Sequence, residues 1–163
     1  MILKFIRGLI AGGPYYLRLN KDRVSIRNVS TGKAVEVTPK VGLDASNILL
    51  SVGDPVAPNA THVRTPFEHP RVLIADFTGG ERIIQYVIRE VIGKGAIASS
   101  PIVVVHPDVE LDGGLTQIEA RALREMVEGA GARKVYLHYG RQLTDQEVAN
   151  LQVRDFDSES NAD

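Results

Sequence analysis

An unbroken apolar run, Ile102-Val103-Val104-Val105, constrains the architecture of this chain more than any other stretch. A strand apolar along its whole length is covered on both faces, as in sheets whose crossovers are helices. The continuation agrees. An acidic, glycine-bearing loop, His106 to Gly114, leads into a helix from about Thr116, with Ile118, Ala122, Leu123, Met126 and Val127 at helical spacing. Gly129-Ala130-Gly131 stops that helix, and Lys134-Val135-Tyr136-Leu137 is a second short strand. Upstream, Val72-Leu73-Ile74-Ala75 reads as a further strand, and Glu81 to Ile92 as a helix with Ile83, Ile84, Val87, Ile88, Val91 and Ile92 on one stripe. The resulting order is β-α-β-α-β with right-handed crossovers.

Before this lie three segments with strand-like alternation: Tyr15 to Leu19, Arg23 to Val29 and Ala34 to Val37. Their inward candidates are Leu17/Leu19, Val24/Ile26 and Val35/Val37, and the intervening turns are short enough for hairpins. Residues 39–70 are rich in Pro, Gly, Asn and Ser and read as surface connection, with Ile48 to Val52 as one further strand. Thr144-Asp145-Gln146-Glu147 has the pattern of a capping box that starts a short helix through Val148 and Leu151. The fold class is therefore α/β, three antiparallel strands followed by β-α-β-α-β. The expected divisions are an amphipathic segment at 1–13, one α/β domain at 14–152, and an acidic, disordered tail at 153–163.

Composition excludes several classes of function. A net charge of −1 supplies no general attraction to nucleic acid. The chain has no cysteine, so disulfides, zinc–thiolate sites and cysteine nucleophiles are ruled out, in keeping with a cytoplasmic setting. No apolar stretch approaches the roughly 20 residues of a membrane-spanning helix. The N-terminus is of another kind. Ile2, Leu3, Phe5, Ile6, Leu9 and Ile10 fall on one helical face with Lys4 and Arg7 opposite, the pattern of a segment lying in an anionic membrane surface. Docking on its own domain or on a partner, and a stunted secretory signal, are the competing readings.

In its order of elements and in three motifs the chain resembles the first subdomain of MreB, the bacterial actin-like cell-shape family. Met1 to Gly8 is similar to the family's basic, apolar membrane anchor. Leu73-Ile74-Ala75-Asp76-Phe77 resembles the family's Val-Ile-Ala-Asp-Phe, and Thr116 to Glu125 with Gly129 to Arg133 resembles Thr-Gln-Val-Glu-Arg-Arg-Ala-Ile-Arg-Glu…Gly-Ala-Gly-Ala-Arg. The resemblance implies an actin-like, ribonuclease H-like subdomain with a role in cell shape. It also implies a place in the cytoplasm, peripheral on the inner membrane, and a protein partner that is either another copy or a full-length relative.

The departures point away from catalysis. Actin-like ATPases carry Asp-Leu-Gly-Thr on the first hairpin, the aspartate holding the magnesium shell and the glycine admitting the phosphates. The corresponding positions are Arg18-Leu19-Asn20-Lys21, with the charge reversed and the glycine gone. The family's second phosphate loop and adenosine pocket belong to later subdomains, outside this chain. No nucleotide cofactor is expected, and the chain reads as a non-enzymatic accessory protein. The alternative is an ATPase half-site completed by another chain. Glu119 aligns with the family glutamate that orients the attacking water, and it equally completes a capping box with Thr116. Asp76 has the same ambiguity between site and helix cap.

One further pattern stands apart from the family. Asp108-x-Glu110-x-Asp112-Gly113, with Glu119 at the twelfth place, follows the spacing of a calcium loop, although a strand precedes it instead of a helix. A calcium-binding module is the third reading, and a solvated acidic loop at ease beside the helix N-terminus is the competing account of the same residues. The histidines His62, His69, His106 and His138 show no ligand spacing; His106, at a strand end before Pro107, is the one with a site-like context, and a surface role is the preferred reading.

Overall fold

The computed structural model describes residues 12–93 and 100–156. The amphipathic segment Ile2–Ile10 and the last part of the acidic tail lie outside the described residues. Among the described residues eight strands and three helices follow in the order β1 (Tyr15–Leu19), β2 (Val24–Asn28), β3 (Ala34–Val37), β4 (Val41–Leu43), β5 (Leu49–Val52), β6 (His62–Arg64), α1 (Phe77–Ile92), β7 (Ile102–Pro107), α2 (Gln117–Gly129), β8 (Lys134–Leu137) and α3 (Asp145–Ala149).

The main sheet has the order β3-β2-β1-β7-β8. β1, β2 and β3 are antiparallel neighbours, while β7 runs parallel to β1 and β8 parallel to β7. Alternation fixes which side chains meet the helices. Leu17, Leu19, Val24, Ile26, Val103, Val105 and Leu137 are fully buried on the face that α1 and α2 cover. Burying each large aliphatic side chain is worth about 1.5–3 kcal/mol, so this face dominates the stability of the fold. α1 contributes Ile83, Ile84, Val87, Ile88 and Val91, and α2 contributes Leu123, Met126 and Val127. The two helices approach closely at Gly80, where a Cβ would stand 2.8 Å from Met126 Sδ. On the opposite face a smaller cluster of Tyr16, Val104, Leu143 and Val148 packs under α3.

Several expectations change. Val72–Ala75 is not a strand: the Ala75 and Asp76 amides donate to the Pro66 carbonyl, and Leu73 inserts into the main core from a loop. An apolar run of four residues carries no period that separates strand from buried loop. β5 matches the strand expected at 48–52, but residues 39–70 also form β4 and β6, and the three build a second sheet, β5-β4-β6. β4 is its buried centre, with Val41 and Leu43 turned into the core. Ile118 is 83% exposed, because it lies five residues, or about 140°, from Leu123 and so off the buried stripe. Of the tail expected at 153–163, Val153 and Phe156 pack against the domain. Among the described residues no helix is long and apolar enough to cross a membrane.

Candidate functional site at the carboxyl ends of the strands

β1, β7 and β8 all end on one side of the sheet. In open α/β sheets ligands bind beyond such carboxyl ends, where neighbouring connections diverge. Here that position is occupied by the protein's own side chains. Arg18, facing His106 across the β1–β7 register, sends Nη2 to Asp108 Oδ2 at 2.5 Å. Asp108 is held in turn by its backbone amide, which donates to the Leu19 carbonyl at 2.9 Å. Asn20 closes the β1–β2 hairpin, its Oδ1 accepting from the Asp22 and Arg23 amides, both at 2.9 Å. Its Nδ2 reaches the Asp108 carbonyl at 3.5 Å. The two positions that depart from the family's phosphate motif are thus joined to one another through Asp108.

The loop from Asp108 to Leu115 turns on Gly113 and Gly114, both at positive φ, and is pinned where the Leu111 amide donates to the Tyr139 hydroxyl at 3.1 Å. Positive φ costs glycine little, which is why two of them stand there. α2 then begins with a complete capping box. The Glu119 amide donates to Thr116 Oγ1 at 3.2 Å, and Glu119 Oε2 accepts from the Thr116 amide at 3.0 Å and from its hydroxyl at 2.8 Å. Glu119 Oε1 is also occupied, accepting from the Leu73 amide at 3.2 Å. Partial burial opposes ionisation of Glu119. The hydrogen bonds from Thr116 and Leu73 outweigh it and hold the carboxyl below its usual range. Glu119 therefore ties the helix start to the 66–76 loop. Asp76 is likewise a cap, taking the Gly79 amide at 3.1 Å, with Arg64 beside it at 3.4 Å.

Two of the four carboxylates of the calcium-like spacing are taken up by other partners. Asp108 serves Arg18 and Glu119 serves backbone amides. Glu110 and Asp112 line a cleft of about 440 Å³ together with His69, Arg71, Thr116 and Glu119. Among the described residues no group of three or more Asp, Glu or His side chains is gathered as a metal ion would need.

The structure assigns a role to a histidine that sequence reading placed on the surface. His106 is 1% exposed. Its Nε2 lies 3.0 Å from the Gly140 carbonyl and its Nδ1 2.6 Å from the Tyr16 hydroxyl. A carbonyl only accepts, so Nε2 carries the proton and Nδ1 accepts from Tyr16. The Tyr16 oxygen accepts in turn from the Leu143 amide at 3.1 Å. Burial lowers the His106 pKa, and His138, edge-on with ring centroids 4.9 Å apart, pushes in the same direction. This network binds the connection between β8 and α3 to the sheet. The alternation of β1, which puts Tyr16 opposite Leu17, was the signal available for it.

A five-stranded sheet of this order, with two helices on one face and a second small sheet inserted before α1, is the actin-like half-domain. Residues 28–144 match the MreB/Mbl protein family, and the chain belongs to that family. It is 43% identical over 65 residues to the cell shape-determining protein MreB of Escherichia coli strain K12 and of Salmonella typhimurium, covering 40% of this chain and 18% of each relative. Its fold is similar to that of MreB5 of Spiroplasma citri bound to ADP, with a TM-score of 0.60 and 16% identity, covering 80% of this chain and 39% of that one. The same protein bound to AMPPNP aligns with a TM-score of 0.54 at 18% identity, covering 76% and 37%. The matched stretch thus covers less than a fifth of the curated MreB relatives and, by fold, about two fifths of the Spiroplasma chain.

Proposed function

We propose that this chain is a non-catalytic, MreB-like accessory protein of the cytoplasmic membrane face, acting in cell shape or filament regulation through a protein partner. The partner is another copy or a full-length actin-like relative. The observation that carries this reading is the Arg18–Asp108 pair. An arginine and its counter-ion stand where the family resemblance calls for a magnesium-holding aspartate, and Asn20 fills the glycine position with a side chain already bonded to the hairpin. Glu119 supports the same reading, because its carboxylate oxygens are both taken up by donors of the protein itself. The membrane part rests on the pattern of Ile2–Ile10. Phosphate release from ATP with magnesium, measured alone and with a purified full-length relative, tests the non-catalytic part: turnover that the Arg18→Ala change abolishes would overturn it. Affinity capture with and without residues 1–10 tests the partner, and retention of a full-length relative by the complete chain is the expected result.

A further inference from the structure

The two edges of the main sheet are finished differently. β3 is an exposed edge with Ala34 and Glu36 in solvent, and Glu36 meets Arg23 at 3.6 Å, so a charge stands on that edge. β8 has no such guard on its outward residues. The His138 amide donates to the Val105 carbonyl at 2.9 Å, which fixes the phase of the strand. Tyr136 and His138 turn their backbone groups towards β7, and Val135 and Leu137 turn theirs outwards. Both outward residues are buried, yet among the described residues no strand covers them.

A side-chain clamp takes that place. Arg124 of α2 donates from Nη1 to the Val135 carbonyl at 3.2 Å, and Asp155 Oδ1 accepts the Leu137 amide at 3.3 Å. Arg124 Nη2 and the same Asp155 oxygen are paired directly. Val153 and Phe156 anchor the segment on either side, one in each apolar cluster. The groups so covered are those that a second β8 would use. In an antiparallel pair, hydrogen-bonded residues exchange both of their backbone bonds. About a twofold axis at Tyr136, the Val135 carbonyl would receive the amide of the partner's Leu137, and the Leu137 amide would reach the carbonyl of the partner's Val135. The edge is complementary to itself, as a twofold interface requires.

We propose that residues 153–156 are a strap over a self-complementary sheet edge, and that release of the Arg124–Asp155 clamp joins two copies β8 to β8 in one continuous sheet. This names the surface for the self-association proposed above and rests on that reading.

The chain has no cysteine, so a single introduced thiol reports the register. Across the twofold axis the two residues 136 form a non-hydrogen-bonded pair with Cα atoms about 4.5 Å apart. That is within the range of about 4.4–6.8 Å that a disulfide spans. Residue 134 would instead face the partner's His138. Asp155→Ala is expected to tighten self-association in sedimentation by about tenfold or more, close to 1.4 kcal/mol. Under mild oxidation, Tyr136→Cys with Asp155→Ala should form linked dimers at least about tenfold faster than Tyr136→Cys alone or Lys134→Cys with Asp155→Ala. If Asp155→Ala does not fold, Asp155→Asn keeps the side-chain volume, and the same ranking is expected of it. Unchanged mass in the variant, or linkage indifferent to position, overturns the strap. A parent that associates while position 136 stays unlinked in the released variant places self-association on another face, which sinks the strap and leaves the functional reading standing.

Discussion

Arg18 of β1 and Asp108 just past β7 meet across a separation of 90 residues, Nη2 to Oδ2 at 2.5 Å, at the carboxyl ends of the two central parallel strands. The pair is only partly exposed, 25% and 34% by side chain. It therefore sits between the nearly worthless surface ion pair and the buried pair whose breakage is costly. Asp108→Ala leaves the Arg18 charge half-buried and is expected to cost about 1–2 kcal/mol, and Arg18→Ala about the same. The double variant should cost less than the sum, with a coupling of about 1 kcal/mol in urea denaturation. Additive losses would mean that the two side chains act separately.

The cap at α2 yields a second test. Thr116→Ala removes the acceptor for the Glu119 amide and should cost about 0.5–2 kcal/mol. A capping box alone tolerates glutamine at its third position. Here Glu119 also accepts from Leu73, so both oxygens face donors, and Glu119→Gln turns an amide NH2 towards one of them. The expected cost is about 0.5–1.5 kcal/mol, less than for a fully buried donor without a partner, because the site is only partly buried. Millimolar calcium should leave the Tm of the parent unchanged. A calcium-dependent rise that Glu119→Gln removes would show that Asp108, Glu110, Asp112 and Glu119 rearrange around the ion.

The His106 network predicts a pH dependence whose sign follows from the lowered pKa. Above about 6.5 the residue is neutral in both folded and unfolded chains, and its contribution to stability is complete. As the pH falls below that value, the unfolded chain takes up a proton that the folded one resists, and stability declines. Glu147 on α3 does not share this window: the Arg141 side chain, first among its partners, holds its carboxyl at about 2. The urea midpoint should fall between pH 7.5 and 5.5 in the parent, and His106→Asn should flatten that slope. An equally steep variant would place the dependence elsewhere.

Removal of residues 1–10 should abolish binding to vesicles containing anionic lipid and leave the Tm within a degree or two of the parent. Several large apolar side chains at about 1.5–3 kcal/mol each suffice for weak interfacial binding, with Lys4 and Arg7 assisting. An unfolded truncated protein would instead place this segment in the core.

Much of the main sheet was legible in the sequence, because β2 and β3 alternate strictly and β7 opens on an unbroken apolar run. α1 and α2 announced themselves through buried stripes and capping residues. The second sheet did not, since Val41–Leu43 and His62–Arg64 are three residues each and pair only through contacts distant in sequence. At the candidate site the charge reversal at Arg18 was visible as a departure from a motif, whereas its partner Asp108 was read as a possible cation ligand. Spacing along a loop shows which carboxylates are near in sequence, and only the fold shows which charge lies opposite. The same limit hid His106, whose two hydrogen-bonding partners come from another strand and from a loop.

Arg18, Asn20 and Asp108 are expected to close the strand ends to nucleotide. Isothermal titration of the full chain with ATP and magnesium tests it most directly. No saturable heat is expected up to millimolar nucleotide; a saturable isotherm with a Kd in the micromolar range would show the strand ends to be open.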